Sequence, residues 1–392
     1  MMNPKHTVWC LLKSRFAGFF AFLLLSACQP GTQQESALMQ QAQYSAAAAS
    51  QLATQRLAAA EYKAALHWFR HAATLGDSQA LQHALQLQQR EQGRLATALW
   101  LEQQLADGSI ASAAVTPLQR AELGLWQQSA DVAALGYYSA HGCALTLQPV
   151  ASQQAGVTQW QRLRQQWQTD TQLTQLPVCF KPLLRVNSTD LQCTEQSSQL
   201  VQCQYQTLAE LVAQGGFSQL LVIAGRGKAS YNNGIVQLPD NASLALLRHE
   251  FMHVLGFIDE YPLAAVAAQQ LCQPGSLYPN VLITEDITAY LKQWQLSVEQ
   301  IALTKVDSCQ LAQQQAYRVV ATDNVMRAYE LGLPPLYLQL AQQVLQQPSQ
   351  LMPVQYYFAY LARQQQDWPQ WQRYMQQAAA WGYVDAQQAL AL

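Results

Sequence analysis

From Ala37 to about Asp107 apolar residues recur at helical spacing through a stretch rich in Ala, Gln and Leu and free of Pro. That pattern predicts successive amphipathic helices. From Cys143 the pattern changes. A strand is expected over Cys143 to Val150, a helix over Val157 to Trp167, then a cysteine-bearing stretch from Cys179 to Val186. The apolar run Leu220-Leu221-Val222-Ile223-Ala224 and the shorter Gly234 to Leu238 read as further strands. A helix follows, beginning near Asn241, with Asp240, Asn241 and Ser243 all able to cap its start. The expected class is α+β: a mixed sheet with a site-bearing helix, flanked by helical segments.

The N-terminus reads differently. Lys5, Lys13 and Arg15 precede an apolar run from Phe16 to Leu25, the order of a secretory signal. The run is short for a membrane span. Leu25-Ser26-Ala27-Cys28 resembles a bacterial lipobox. The resemblance implies removal of residues 1–27, lipidation of Cys28, and an acyl anchor in the bacterial cell envelope. Gln29, rather than Asp, after the cysteine implies the outer membrane by the sorting rule of such lipoproteins. Residues 28–36 then form a polar tether.

Only 12% of residues are charged, against about 25% in typical domains. The net charge is -2 and basic residues form no run, which excludes a nucleic-acid partner that would need a basic stripe. Export implies an oxidising compartment. Six cysteines remain after Cys10 and Cys28 are set aside, and proximity favours Cys193–Cys203 and Cys272–Cys309, leaving Cys143–Cys179.

One sequence pattern occurs twice. Trp68-Phe69-Arg70-His71-Ala72-Ala73-Thr74-Leu75-Gly76, with Ala80 and Ala84-Leu85 beyond, is echoed by Tyr374-Met375-Gln376-Gln377-Ala378-Ala379-Ala380-Trp381-Gly382, with Ala386 and Ala389-Leu390. The pattern resembles Sel1-like repeats. Small alanines allow helices to pack closely, and the glycine closes the first helix in a left-handed cap. Such repeats often bind proteins, so a protein partner is implied. Two copies so far apart are expected to pack against the central region rather than form an array. The domain plan is therefore a helical region at 37–135, a central domain at 136–348 and a helical segment at 349–392.

The chemistry concentrates in His249-Glu250-Phe251-Met252-His253-Val254-Leu255-Gly256-Phe257-Ile258-Asp259. Histidines four apart on a helix share a face and can bind one Zn²⁺. Glu250 lies beside them, placed to take a proton from water on the metal. Gly256 lets the chain turn out of the helix, and Asp259 can then fold back as third ligand. Glu260 and the distant Glu285 are rivals for that role, since any carboxylate suits zinc.

The pattern HExxHxxGxxD resembles the metzincin signature with Asp for the usual third His. It is most similar to snapalysin-like peptidases. The Asp259-Glu260-Tyr261 ending is also similar to the IgA-peptidase-like group, whose spacing to Asp is one residue longer. The resemblance covers mainly residues 220–262. It implies one catalytic Zn²⁺ held by His249, His253 and Asp259, Glu250 as general base, and a protein or peptide substrate.

A Met-turn is implied at Asn324-Val325-Met326-Arg327-Ala328-Tyr329, with Met326 under the ligands and Tyr329 as oxyanion stabiliser; ordinary core packing is the plainer role for Met326. A substrate-pairing edge strand is implied at Gly225 to Tyr231, aligned through Gly227 to Ser230, where a plain turn is the other reading. The chain is therefore expected to be a zinc metalloendopeptidase at the envelope. The alternative is a non-catalytic helical-repeat scaffold whose zinc is structural.

Overall fold

The computed structural model describes residues 30–126 and 142–391. The signal segment and Cys28 lie outside the described residues. The chain forms two compact units, one reaching to Gln92 with Gln104–Ala114 added, the other comprising Gly93–Gln103 and everything from Val115 onward.

The first unit is a run of antiparallel helices: α1 (Pro30–Ala42), α2 (Ala46–Ala58), α3 (Tyr62–Thr74) and α4 (Ser78–Gln92). The tether residues from Pro30 to Ser36 thus belong to a helix. Alanines 49, 53, 65, 72, 80 and 84 are buried, and the small side chain lets neighbouring helices approach closely around Leu52, Phe69 and Leu81. Helix α3 closes as its motif predicts. Gly76 takes φ +97°, its N–H reaches Ala73 O, and Asp77 N–H reaches Ala72 O. The distant echo closes identically, with Gly382 at φ +86° and bonds from Gly382 to Ala379 and from Tyr383 to Ala378.

Helix α5 (Arg94–Ala106) precedes the second unit's own elements. These begin with α6 (Pro117–Leu123), β1 (Leu145–Ala151), α7 (Gln154–Thr169), β2 (Val178–Phe180), β3 (Leu184–Arg185), α8 (Ser188–Leu191), β4 (Glu195–Leu200) and α9 (Ala209–Gln214). Then come β5 (Gln219–Ile223), β6 (Arg226–Lys228), β7 (Ser230–Asn232), β8 (Ile235–Leu238) and α10 (Leu244–Val254). The remainder is α11 (Ala265–Leu271), β9 (Val281–Leu282), α12 (Thr288–Trp294), β10 (Thr304–Val306), β11 (Ala316–Arg318), α13 (Pro335–Val344), α14 (Val354–Gln364), α15 (Trp368–Ala380) and α16 (Val384–Ala391).

The main sheet has the order β2-β1-β5-β8-β7, with β3 also on β1. All of its pairs are parallel except β7–β8, so an antiparallel strand forms one edge. Every residue of β1, β5 and β8 is buried, as a sheet covered on both faces requires. On one face α7 and α10 pack through Trp160, Trp167, Phe180 and Phe251, whose rings meet edge-on at 5.1–5.2 Å. On the other face lie α9 and the C-terminal helices, with Phe358, Tyr374 and Met375 against Leu220, Val222 and Ile235. Val354 N–H on Ser218 O and Gln355 Nε2 on Phe217 O tie these helices to the sheet.

Cysteines pair as Cys143–Cys179, Cys193–Cys203 and Cys272–Cys309. The last staples the insertion between α10 and Met326, which has its own small core around Ile258, Ala268, Val281 and Ile283. Strand β6 leaves the main sheet to pair with β4. The antiparallel edge of the main sheet is therefore β7, Ser230–Asn232, which overlaps only the end of the expected Gly225 to Tyr231 stretch.

Candidate metal centre

Ser243, the last of the three cap candidates, starts α10 by accepting the Leu246 N–H at 3.1 Å. Asp240 instead pairs with Arg94 at 2.6 Å. Leu247, Phe251 and Val254 are buried against the core, and this seating fixes the rotation of the helix. His249 and Glu250 are buried and His253 is partly so. Gly256, at φ +79°, turns the chain out of α10, and Phe257 N–H closes back on Met252 O. A Cβ at Gly256 would meet nothing within 4 Å, so the requirement there is conformational alone. Gly256→Ala should cost about 1–2 kcal/mol of left-handed strain; calorimetry is expected to show a lower melting temperature with metal stoichiometry unchanged.

Beyond the bend each backbone group near Asp259 is held. Asn280 grips Ile258 on both sides, accepting its N–H at 3.0 Å and donating to its carbonyl at 2.7 Å. Ser308 Oγ donates to Asp259 O at 2.6 Å, and Glu260 N–H donates to Met326 O at 2.9 Å. The neighbouring carbonyl, Val325 O, accepts from His249 Nδ1 at 2.8 Å. Met326 is fully buried in the core that includes Phe251 and Met252. The Val325–Met326 segment thus links the first histidine to the residue after Asp259.

His253 Nδ1 donates to Phe257 O at 2.8 Å. A carbonyl can only accept, so both histidines carry their proton on Nδ1 and turn Nε2 toward Asp259. Each Nε2 lies 3.3 Å from Asp259 Oδ1, and the three atoms fall within 4.8 Å of one another. Asp259 Oδ1 is buried and has no donor at hydrogen-bond geometry. Two lone pairs facing a buried carboxylate oxygen repel unless a cation stands between them.

The donor set fits zinc. Metal–ligand bonds of about 2.0–2.1 Å imply a tetrahedron edge of about 3.3 Å, the separation of each Nε2 from Asp259 Oδ1. Without a metal a proton fills that role: burial opposes charge on the His253 ring, yet the Asp259 carboxylate beside it outweighs this and pushes the pKa up to about 9. Burial also raises the Asp259 carboxyl, but the two imidazoles more than offset this and hold it well below the ordinary range. Protons therefore compete with a metal for these atoms.

Glu250 contributes no ligand atom. Burial pushes its carboxyl above the ordinary range, against the opposing fields of His253 and His249. Glu260 points elsewhere: fully buried, it accepts from Tyr337, from Asn280 at 3.1 Å and from Asn324 at 2.8 Å. Glu285 pairs with the Tyr317 hydroxyl. Both rivals to Asp259 are thereby committed to other partners.

Tyr329 is 40% exposed and Tyr261, two residues after Asp259, is 38% exposed. Burial together with the Asp259 carboxylate raises the Tyr261 pKa. No signal beyond the Asp-Glu-Tyr run pointed to it, and none at all to Asn280 or Tyr337. No protein-family model and no curated protein matches the chain.

Proposed function

We propose that the protein is a zinc-dependent endopeptidase, anchored through lipidated Cys28 in a bacterial outer membrane. One observation carries the reading: two imidazole Nε2 atoms lie 3.3 Å from one otherwise partnerless carboxylate oxygen, with a buried glutamate on the histidines' helix. The metzincin resemblance gains support from the sheet order with its single antiparallel edge strand, from the glycine bend, and from the buried Met326 beside the ligands. No helix among the described residues is long and apolar enough to cross a membrane.

In this reading His249, His253 and Asp259 hold the ion. Zinc, when bound, polarises the scissile carbonyl and lowers the pKa of water at its open position toward 7. Glu250 takes the proton from the attacking water and delivers it to the departing amide nitrogen. The carbonyls of Val325 and Phe257 fix the tautomers, so both Nε2 lone pairs stay aimed at one point. Tyr261, two residues after Asp259, is the candidate to donate its hydroxyl to the developing oxyanion.

Cleavage of casein-derived peptides by protein retaining one zinc per chain, abolished by chelator or hydroxamate and restored by added Zn²⁺, tests the proposal. Metal-independent cleavage would sink it. The pH dependence is also set. A general base must be ionised, and burial raises the Glu250 pKa, so kcat/KM should fall on acidification earlier than an ordinary carboxylate would dictate. The same raised pKa means that its ionised form costs folding stability above the folded-state pKa, a cost relieved as the pH drops.

A further inference from the structure

A groove of about 430 Å³ opens where the C-terminal ends of three helices meet: Leu255-Gly256 after α10, Gln293 to Gln295 at the end of α12, and Gln343-Val344 at the end of α13. That volume lies within the range of small-molecule sites, about 300–1,000 Å³. We propose that this groove binds a neutral oligosaccharide, independently of any chemistry at the metal centre.

Lining chemistry selects the ligand. Six glutamines supply most of the polar surface, and none of the lining residues is charged. Each amide offers two donors and an acceptor, which matches sugar hydroxyls that both give and take hydrogen bonds. Phosphates and carboxylates are disfavoured. They would meet no cation, and helix C-termini present partial negative charge. Gln350 Nε2 already donates to Gln347 Oε1 at 2.6 Å, which orders part of the amide array.

Trp294 supplies the aromatic element. It lines the groove and is half-buried, so its indole supplies apolar surface for the C–H side of a sugar. Tyr278 is a second ring at the site, held by its hydroxyl donating to Leu271 O at 2.6 Å. Helix ends and turns form the lining, with no strand to pair with, so an extended peptide has no ladder to join.

The full-length protein should be titrated by calorimetry and saturation-transfer NMR with tetra-N-acetylchitotetraose, maltotetraose, mannotetraose and xylotetraose. Tetragalacturonate, choline and an uncharged glutamine-rich peptide serve as competitors of other chemistry. Saturable binding of at least one neutral tetrasaccharide is expected, unchanged by Glu250→Ala and weakened at least about tenfold by Trp294→Ala. Gln343→Ala with Gln347→Ala should produce the same loss without touching the aromatic packing, and circular dichroism verifies folding of each variant. Failure of all four sugars to bind at millimolar concentration would overturn the proposal. So would wild-type affinity in both variants, or preferential binding of the anion, the cation or the peptide.

Discussion

A Glu250→Ala variant is expected to keep its zinc in full and to lose peptide hydrolysis by about 10²–10⁴-fold. The separation follows from geometry. The converging ligand atoms belong to His249, His253 and Asp259, and Glu250 contributes none of them. Its removal therefore leaves the coordination set intact, and it also lifts a buried carboxylate whose ionisation is opposed by burial. Thermal stability should hold or rise slightly, so the loss cannot be ascribed to unfolding. His253→Ala makes the contrast. It deletes a ligand, leaves Asp259 facing one imidazole instead of two, and should lose metal and hydrolysis together. Metal content by mass spectrometry beside kcat/KM separates the outcomes; full activity in Glu250→Ala ends the proposed mechanism.

The His249–His253–Asp259 cluster was legible because the motif is local. His249, His253, Gly256 and Asp259 span eleven residues, and helical geometry with one left-handed glycine is enough to bring them together. The same holds for helix α10, whose apolar spacing reports which face is buried. Other features were out of reach for a physical reason. Tyr337 bonds Glu260 across 77 residues and Asn280 across 20, through loops whose paths no periodicity encodes. Within and just beyond the expected Gly225 to Tyr231 stretch, Arg226–Lys228 and Ser230–Asn232 are both short, polar and extended; only pairing partners distinguish them, β4 for the first and β8 for the second. Proximity of Tyr329 to Met326 in sequence likewise says nothing of which way a side chain leaves a turn. The apolar run of β5 signalled a strand, but not that Phe358 and Tyr374 would cover one of its faces.

Glu260→Ala should unfold the site most severely of any substitution outside the ligands, at about 3–5 kcal/mol. Glu260 is the point where three separate loops meet. Its Oε1 accepts from Tyr337 and Asn280, and its Oε2 from Asn324, with Arg318 Nη1 3.7 Å away. Deleting the carboxylate strands those buried donors, and the stranded groups, more than any lost attraction, set the cost. Burial nonetheless raises the Glu260 pKa, so the ion is itself held under strain and rewards the fold only through its partners. Glutamine is no remedy, because either orientation of its amide turns an N–H₂ toward an asparagine N–H₂ that can only donate, Asn280 on one side and Asn324 on the other. Tyr337→Phe removes a single donor to a charged acceptor and should cost less, about 1.5–3 kcal/mol. The effect reaches the metal because Glu260 N–H holds Met326 O, and the adjoining Val325 O holds His249. A loosened anchor lets Asp259 drift, and supporting contacts of this kind are worth about 10–100-fold in metal affinity. Denaturant melts paired with competitive zinc titration would read both quantities. Weakened zinc binding at temperatures where Tyr337→Phe remains folded is the expected signature, and unchanged affinity there would reduce Glu260 to a purely structural buried ion.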